Sequence, residues 1–192
     1  MSANQKFPIP ENDGAANHLE KSSIPGISLP NQEGNLLRLD RSDTFRMILY
    51  FFPMTGRPDR PLPKNWNSIP GASGCTLETC KFRDKYDDLI GLNAVPIGVT
   101  AQTVEHNKEM TNRLGIPFDV LSDAKLELKD SLSLPTFSIK NKINDTPLNA
   151  KIINNLLIEA KNYCEETLKK SEDIHMKIDQ FYIDNEHYNF LP

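Results

Sequence analysis

The chain has 192 residues, enough for one domain with a real core and few for two. Charged residues make up 25% and hydrophobic ones 38%, which excludes wholesale disorder, and a net charge of −4 gives no basic footprint for nucleic acid. The longest apolar stretch, Met47 to Phe52, falls far below the ~20 residues a membrane-spanning helix needs.

Residues 1–26 are polar, punctuated by Pro8, Pro10, Asn12-Asp13-Gly14 and Pro25-Gly26, and read as an irregular arm. A hairpin follows, with Ile27-Ser28-Leu29, a turn through Asn31 to Gly34, and Leu36 to Leu39. Phe45 to Phe52 is a nearly continuous apolar run closed by Pro53, the pattern of a strand buried on both faces. Pro53, Pro58, Pro61, Pro63 and Pro70 leave no room for a regular element before Gly74. An irregular loop above ~12–15 residues usually has a function in a compact domain, and this one leads straight into the cysteines.

Phe82, Tyr86 and Leu89 recur at i, i+4 and i+7 with charged residues between them and Gly91 as a stop, which predicts a helix. Counting back along its apolar face reaches Thr79 and Cys75. Ala94 to Thr100 predicts a second buried strand, Thr103 to Leu114 a second helix ending at Gly115, and Phe118 to Leu121 a third strand. Asp123 is placed to cap a short helix from Ala124 to about Leu132, and Thr136 to Ile139 adds a strand. Alternating strands and helices imply βαβ units around a largely parallel sheet. Thr146-Pro147 has the form of a helix start, and apolar residues from Leu148 through Ile152, Leu156, Ala160 and Cys164 to Leu168 predict a long amphipathic helix. The division is an arm (1–26), an α/β domain (27–140) and a mostly helical C-terminal segment (141–192).

The N-terminus lacks the apolar run of a secretory signal, and three cysteines are too few for a secreted disulfide framework, so a reducing compartment such as the cytoplasm is expected. In such a compartment close cysteines favour redox chemistry or metal binding over stapling. Cys75 stands where the loop turns into a helix, and unpaired N–H groups with the positive end of the helix dipole stabilise a thiolate there. The same donors hold a peroxide oxygen as charge moves onto it. A thiolate attacking a peroxide becomes sulfenic acid, which condenses with a second thiol. Cys80 is that second thiol in position. In an intact helix, residues i and i+5 lie roughly 8–9 Å apart at Cα, beyond the ~7 Å limit of a disulfide, so the helix start must unwind first. On the pair alone, redox chemistry stands only slightly ahead of two cysteines acting as small hydrophobes. A zinc site on Cys75, Cys80 and His106 ranks lower, because no second Cys pair or His-x3–5-His follows.

Gly74-Cys75-Thr76-Leu77-Glu78-Thr79-Cys80 and the run to Tyr86 resemble the active-site helix of peroxiredoxins of the bacterioferritin-comigratory type, in the alkyl hydroperoxide reductase/thiol-specific antioxidant family. Phe52-Pro53-Met54-Thr55-Gly56-Arg57-Pro58 and Ile69 through Cys75 are similar to a subgroup with an enlarged loop before the cysteine. Gly98 through Gln102, Phe118 through Asp123 and Leu134 through Phe137 are similar to its later strands. The resemblance covers about residues 7–137. It implies a thioredoxin-like α/β fold, a central mixed sheet flanked by helices, here with an atypical C-terminal helix. It also implies an antioxidant peroxidase that reduces hydrogen peroxide or organic hydroperoxides without a cofactor or metal. Cys75 would be the peroxidatic and Cys80 the resolving cysteine, recycled by thioredoxin or a similar dithiol, with a homodimer as one compatible assembly and no nucleic acid or membrane partner.

The sequence departs from the family at two places. Ala72 stands where most members carry Thr or Ser three residues before the cysteine, and Thr55 is the candidate substitute. The family's late-strand arginine has no counterpart, because no arginine occurs from residue 138 onward, and Arg46, Arg83 and Arg113 lie elsewhere. Glu78 matches the family's acidic residue that orients that arginine, and reads equally well as a first-turn carboxylate. Arg83 could reach towards the cysteine region, though arginines at such positions are mostly solvated or ion-paired on the surface. Trp66 reads as packing for the loop, Cys164 as a core residue of the last helix, and His18, His106, His175 and His187 receive no role. The rivals are an inactive or redox-sensing member, favoured by the lost arginine, and a thiol–disulfide oxidoreductase, disfavoured by the wide cysteine spacing.

Overall fold

A computed structural model describes residues 14–20, 22–41, 46–69, 72–143, 146–153 and 156–160. In chain order its elements are β1 (Ser28–Pro30), β2 (Leu36–Arg38), β3 (Arg46–Phe51), α1 (Cys75–Asp84), α2 (Tyr86–Gly91), β4 (Ala94–Thr100), α3 (Val104–Leu114), β5 (Val120–Ser122), α4 (Glu127–Ser131), β6 (Thr136–Ile143), β7 (Thr146–Ile153) and β8 (Leu156–Ala160). The four-stranded sheet runs β5-β4-β3-β8, with β3, β4 and β5 mutually parallel and β8 antiparallel to β3. β1 and β2 form the N-terminal hairpin, with Asn31 taking the backbone amides of Glu33 and Asn35 on its side-chain oxygen.

The apolar run of β3 is buried on both faces because side chains alternate across a strand. Met47, Leu49 and Phe51 enter one cluster with Leu29, Leu39 and Leu128. Ile48, Tyr50 and Phe52 enter the other with Cys75, Phe82, Met110 and Phe118. The second cluster is the one that carries the helix with the cysteines. There Tyr50 stacks on Phe82 with ring centroids 4.3 Å apart, and Phe118 meets Tyr50 edge-on at 6.2 Å.

Local chemistry sets the helix ends. Thr103 caps α3 by accepting from the His106 amide, and Gly115 closes it in the left-handed conformation at φ 64°. The stripe of Cys75, Thr79, Phe82 and Leu89 is buried as anticipated, but Lys85 interrupts it and splits one helix into α1 and α2. Asp123 caps the next helix from further away than anticipated. Its two carboxylate oxygens accept the amides of Leu128 and Lys129, at 3.2 and 2.9 Å, and α4 starts at Glu127 instead of Ala124.

The C-terminal helix is corrected over residues 146–160. The chain there forms β7 and β8 instead of an amphipathic helix. β6 and β7 pair in an antiparallel ladder from Thr136↔Ile153 to Ile143↔Thr146. β8 covers the edge of β3, from Met47↔Ala160 to Phe51↔Leu156. Pairing satisfies a row of backbone groups that a helix in this place would leave open on β3. Tyr163, Cys164, Leu168 and the remainder of the expected helix lie outside the described residues, as do residues 1–13 of the arm.

Candidate active site

The proline-rich loop carries two single 3₁₀ turns, Trp66–Ser68 and Ala72–Gly74, and the second runs directly into Cys75, the first residue of α1. The Cys75 thiol donates to the Ala72 carbonyl at 3.2 Å, and the Thr79 hydroxyl donates to the Cys75 carbonyl at 2.9 Å. Cys75 borders a cleft of about 320 Å³ whose walls include Met54, Leu62, Trp66, Ala72 and Ser73. Its residue exposure is 1%, so the sulfur meets that cleft across a narrow face. Cys80 is half-buried on the same helix, and both thiols are free.

The electrostatics at Cys75 depart from the thiolate anticipated at a helix start. Burial pushes the thiol up to about 12; the Met54 and Cys75 backbone amides pull it down, and Glu78 adds to the rise. Desolvation therefore outweighs the donors of the helix N-terminus. At neutral pH the protonated thiol is therefore the favoured form in this conformation. Glu78 shares the site's low polarity. Its Oε2 is buried without a hydrogen-bond partner, and burial raises its carboxyl to about 8, with Lys81 opposing. Among the described residues, no arginine acts on the Cys75 sulfur.

The remaining candidates are dispersed. Arg83 donates to the Leu114 carbonyl at 2.7 Å and to Asp84 at 2.8 Å, and the cysteine whose charge it feels is Cys80. Thr55 is fully buried in a clamp with Gln102, which lies between β4 and α3. Its amide and hydroxyl both donate to Gln102 Oε1, at 3.0 and 3.2 Å, and its carbonyl accepts from Gln102 Nε2 at 3.2 Å. His106 Nε2 lies 2.7 Å from Gln102 Nε2 and 3.1 Å from the Thr55 carbonyl. The Thr55 hydroxyl is thus committed to Gln102, and His106 is turned to this clamp. Ala72 occupies the position three residues before Cys75 as a plain wall of the cleft.

Sequence reasoning missed Met54, Leu62 and Gln102. The first two lie in the loop whose length had flagged it as functional. Gln102 carried no signal of its own, because its role depends on a contact with Thr55, 47 positions away.

The AhpC/TSA family profile matches residues 67–147, a span containing both cysteines, β4 and β5. The matched span is less than half of the chain, and over it the sequence is similar to peroxiredoxins of the bacterioferritin-comigratory type. A Coxiella burnetii relative bearing the bcp peroxiredoxin name is 31% identical over 99 residues, 52% of this chain and 56% of that one. The chloroplastic peroxiredoxin Q of Sedum lineare is 25% identical over 129 residues, 67% of this chain and 61% of its own. The chain thus spans less than two thirds of either relative's length. The crystal structure of peroxidoxin BcpB from Mycobacterium tuberculosis superposes with a TM-score of 0.53 at 19% identity, over 73% of this chain and 79% of that one. That likeness shows the fold, a thioredoxin-like α/β architecture.

Proposed function

We propose that the protein is a thiol-dependent peroxidase in which Cys75 attacks the peroxide and Cys80 resolves the product. The observation that carries this reading is a cysteine that opens α1 at the edge of a cleft, with a second thiol on the same helix. The Cys75 thiolate attacks the terminal oxygen of ROOH, forming an S–O bond as the O–O bond breaks. The leaving RO⁻ takes a proton and departs as ROH. The Cys80 thiol then displaces hydroxide from the sulfenic acid, giving a Cys75–Cys80 disulfide and water. A dithiol donor such as thioredoxin reduces that disulfide and becomes oxidised itself. Ionisation in the first step needs solvent or a positive charge at Cys75, since the resting thiol is held protonated. A reducing compartment such as the cytoplasm suits this cycle.

NADPH-coupled turnover of a hydroperoxide with thioredoxin tests the assignment. Cys75→Ser should abolish turnover, and Cys80→Ser should reduce it at least tenfold while leaving one equivalent of sulfenic acid trapped by dimedone. Undiminished turnover in Cys75→Ser would remove that residue from the mechanism. The deep burial of the thiol favours a second reading, a slow redox sensor. Peptide mapping after mild peroxide treatment separates the two, because a sensor of this kind oxidises Cys75 over hours and not seconds.

A further inference from the structure

Two backbone amides favour negative charge on the Cys75 sulfur, its own at the start of α1 and that of Met54 in the proline-rich loop. The helix fixes the first. No helix or strand holds Met54, so the second needs another device, and the bonds on either side of Met54 supply one. The Met54 N–H shares a planar trans peptide unit with the Pro53 carbonyl, and the two point in opposite directions. Whatever anchors that carbonyl therefore aims the N–H. The anchor is Thr100, the fully buried last residue of β4, whose hydroxyl donates to the Pro53 carbonyl at 3.2 Å. On the other side, Gln102 holds the Thr55 backbone. The Thr55 amide donates to Gln102 Oε1 at 3.0 Å, and its carbonyl accepts from Nε2 at 3.2 Å. Gln102 is tied down in turn: its amide donates to Thr100 Oγ1 at 3.4 Å, and its carbonyl accepts from the Ser122 hydroxyl at 2.6 Å. Met54, which lines the same cleft as Cys75, thus stands between two anchored neighbours.

Resting on the peroxidase reading, we propose that Thr100 and Gln102 are positioning residues, which fix the Pro53–Met54 peptide plane so that its N–H meets the Cys75 sulfur and steadies the attacking thiolate. Hydrogen bonding at the Pro53 oxygen also polarises the peptide and strengthens its N–H as a donor.

The test reads the ionisation of Cys75 before any peroxide is added. Reduced full-length protein is alkylated with iodoacetamide over a pH series, and cleavage after Glu78 puts Cys75 and Cys80 on separate peptides. Thr100→Val removes the hydroxyl with little change of shape, and Gln102→Met removes the amide. Each should slow Cys75 alkylation about tenfold at a given pH, a displacement of the rate profile by about one unit towards alkaline pH. Cys80 serves as the unchanged internal reference. Thr100→Ser keeps the hydroxyl and should restore the wild-type profile. A loop merely loosened would act in the opposite direction, since water reaching the sulfur speeds its alkylation. Faster or unchanged alkylation of Cys75 in either folded variant, or a Thr100→Ser profile like that of Thr100→Val, would overturn the assignment. Gln102 is only half-buried, so its variant folds even where the buried Thr100→Val does not. Slower alkylation in a protein that turns over no peroxide, wild type included, would remove the peroxidase reading and keep the positioning role. Wild-type turnover with alkylation unaltered by the variants would do the reverse.

Discussion

At Cys75 two opposing effects meet, and their sizes decide the chemistry. The helix start and the Met54 amide favour a thiolate, while burial and the neighbouring Glu78 favour the thiol and win in the resting structure. Glu78 carries a cost of its own, because its carboxyl has risen from 4.5 to about 8 on burial. A carboxyl raised in the folded state leaves stability intact below the unfolded value and removes it as pH climbs through the folded one. The window is therefore about pH 4.5 to 8. Glu78→Gln should make the protein more stable than wild type at pH 8, by on the order of a few kcal/mol, and close to equal at pH 4.5. Urea unfolding at both pH values measures this, and an unchanged difference between them would contradict it. His106 works in the opposite sense. Burial lowers its pKa from 6.5, so its contribution is complete above that value and is lost as pH falls through the folded one. The cause is desolvation, which the hydrogen bond to the Thr55 carbonyl, 3.1 Å from Nε2, opposes without cancelling. His106→Phe should therefore flatten the acid side of the stability profile. Of these residues the cysteine pair was legible in the sequence, because spacing and a helix start are local properties. The protonated state of Cys75 was not, since it follows from burial by residues far along the chain.

At the scale of elements, α1 is the part that would have to change shape for the proposed Cys75–Cys80 disulfide to form. Cys75 and Cys80 lie in one continuous helix, Cys75–Asp84, whose i to i+5 separation of roughly 8–9 Å exceeds what a disulfide spans. Oxidation should raise hydrogen–deuterium exchange of the amides from Thr76 to Phe82, with α3 unaffected. Unaltered protection across α1 after the disulfide has formed would contradict a helix that unwinds. The same packing arguments explain which elements could be read in advance. β3, β4 and α3 announced themselves by apolar runs and caps, because each is long and flanked by proline, glycine or threonine. The stretch after Thr146 was misread because Leu148, Ile152, Ile153, Leu156 and Leu157 satisfy a helical spacing while also falling into two short apolar runs. Asn144-Asp145 and Asn154-Asn155 were the available correction: paired Asx residues between apolar runs are turn signals. What decides for strands is non-local. The open edge of β3 needs a partner, and the chain after Asn155 supplies it.

At the scale of the whole molecule, the sheet separates two cores, and β3, β4 and β5 each send side chains into both. The core holding Leu49 packs against the N-terminal hairpin and α4, and the core holding Ile48 packs against the cysteine helix. Both residues are at most 1% exposed. Truncating either to alanine should therefore destabilise the fold by about 2–5 kcal/mol. Their effects on chemistry should differ. A cavity on the Ile48 side loosens the packing around Cys75 and lets water reach the thiol, which relieves the desolvation that keeps it protonated. A cavity on the Leu49 side lies across the sheet from the sulfur and leaves its surroundings intact. Alkylation of Cys75 by iodoacetamide, followed by peptide mapping in native buffer, should thus accelerate in Ile48→Ala and stay near the wild-type rate in Leu49→Ala. Urea melts matched for stability loss guard against global unfolding as the cause. If both variants accelerate equally, the thiol is exposed by unfolding of the entire domain, and the sheet does not insulate one core from the other.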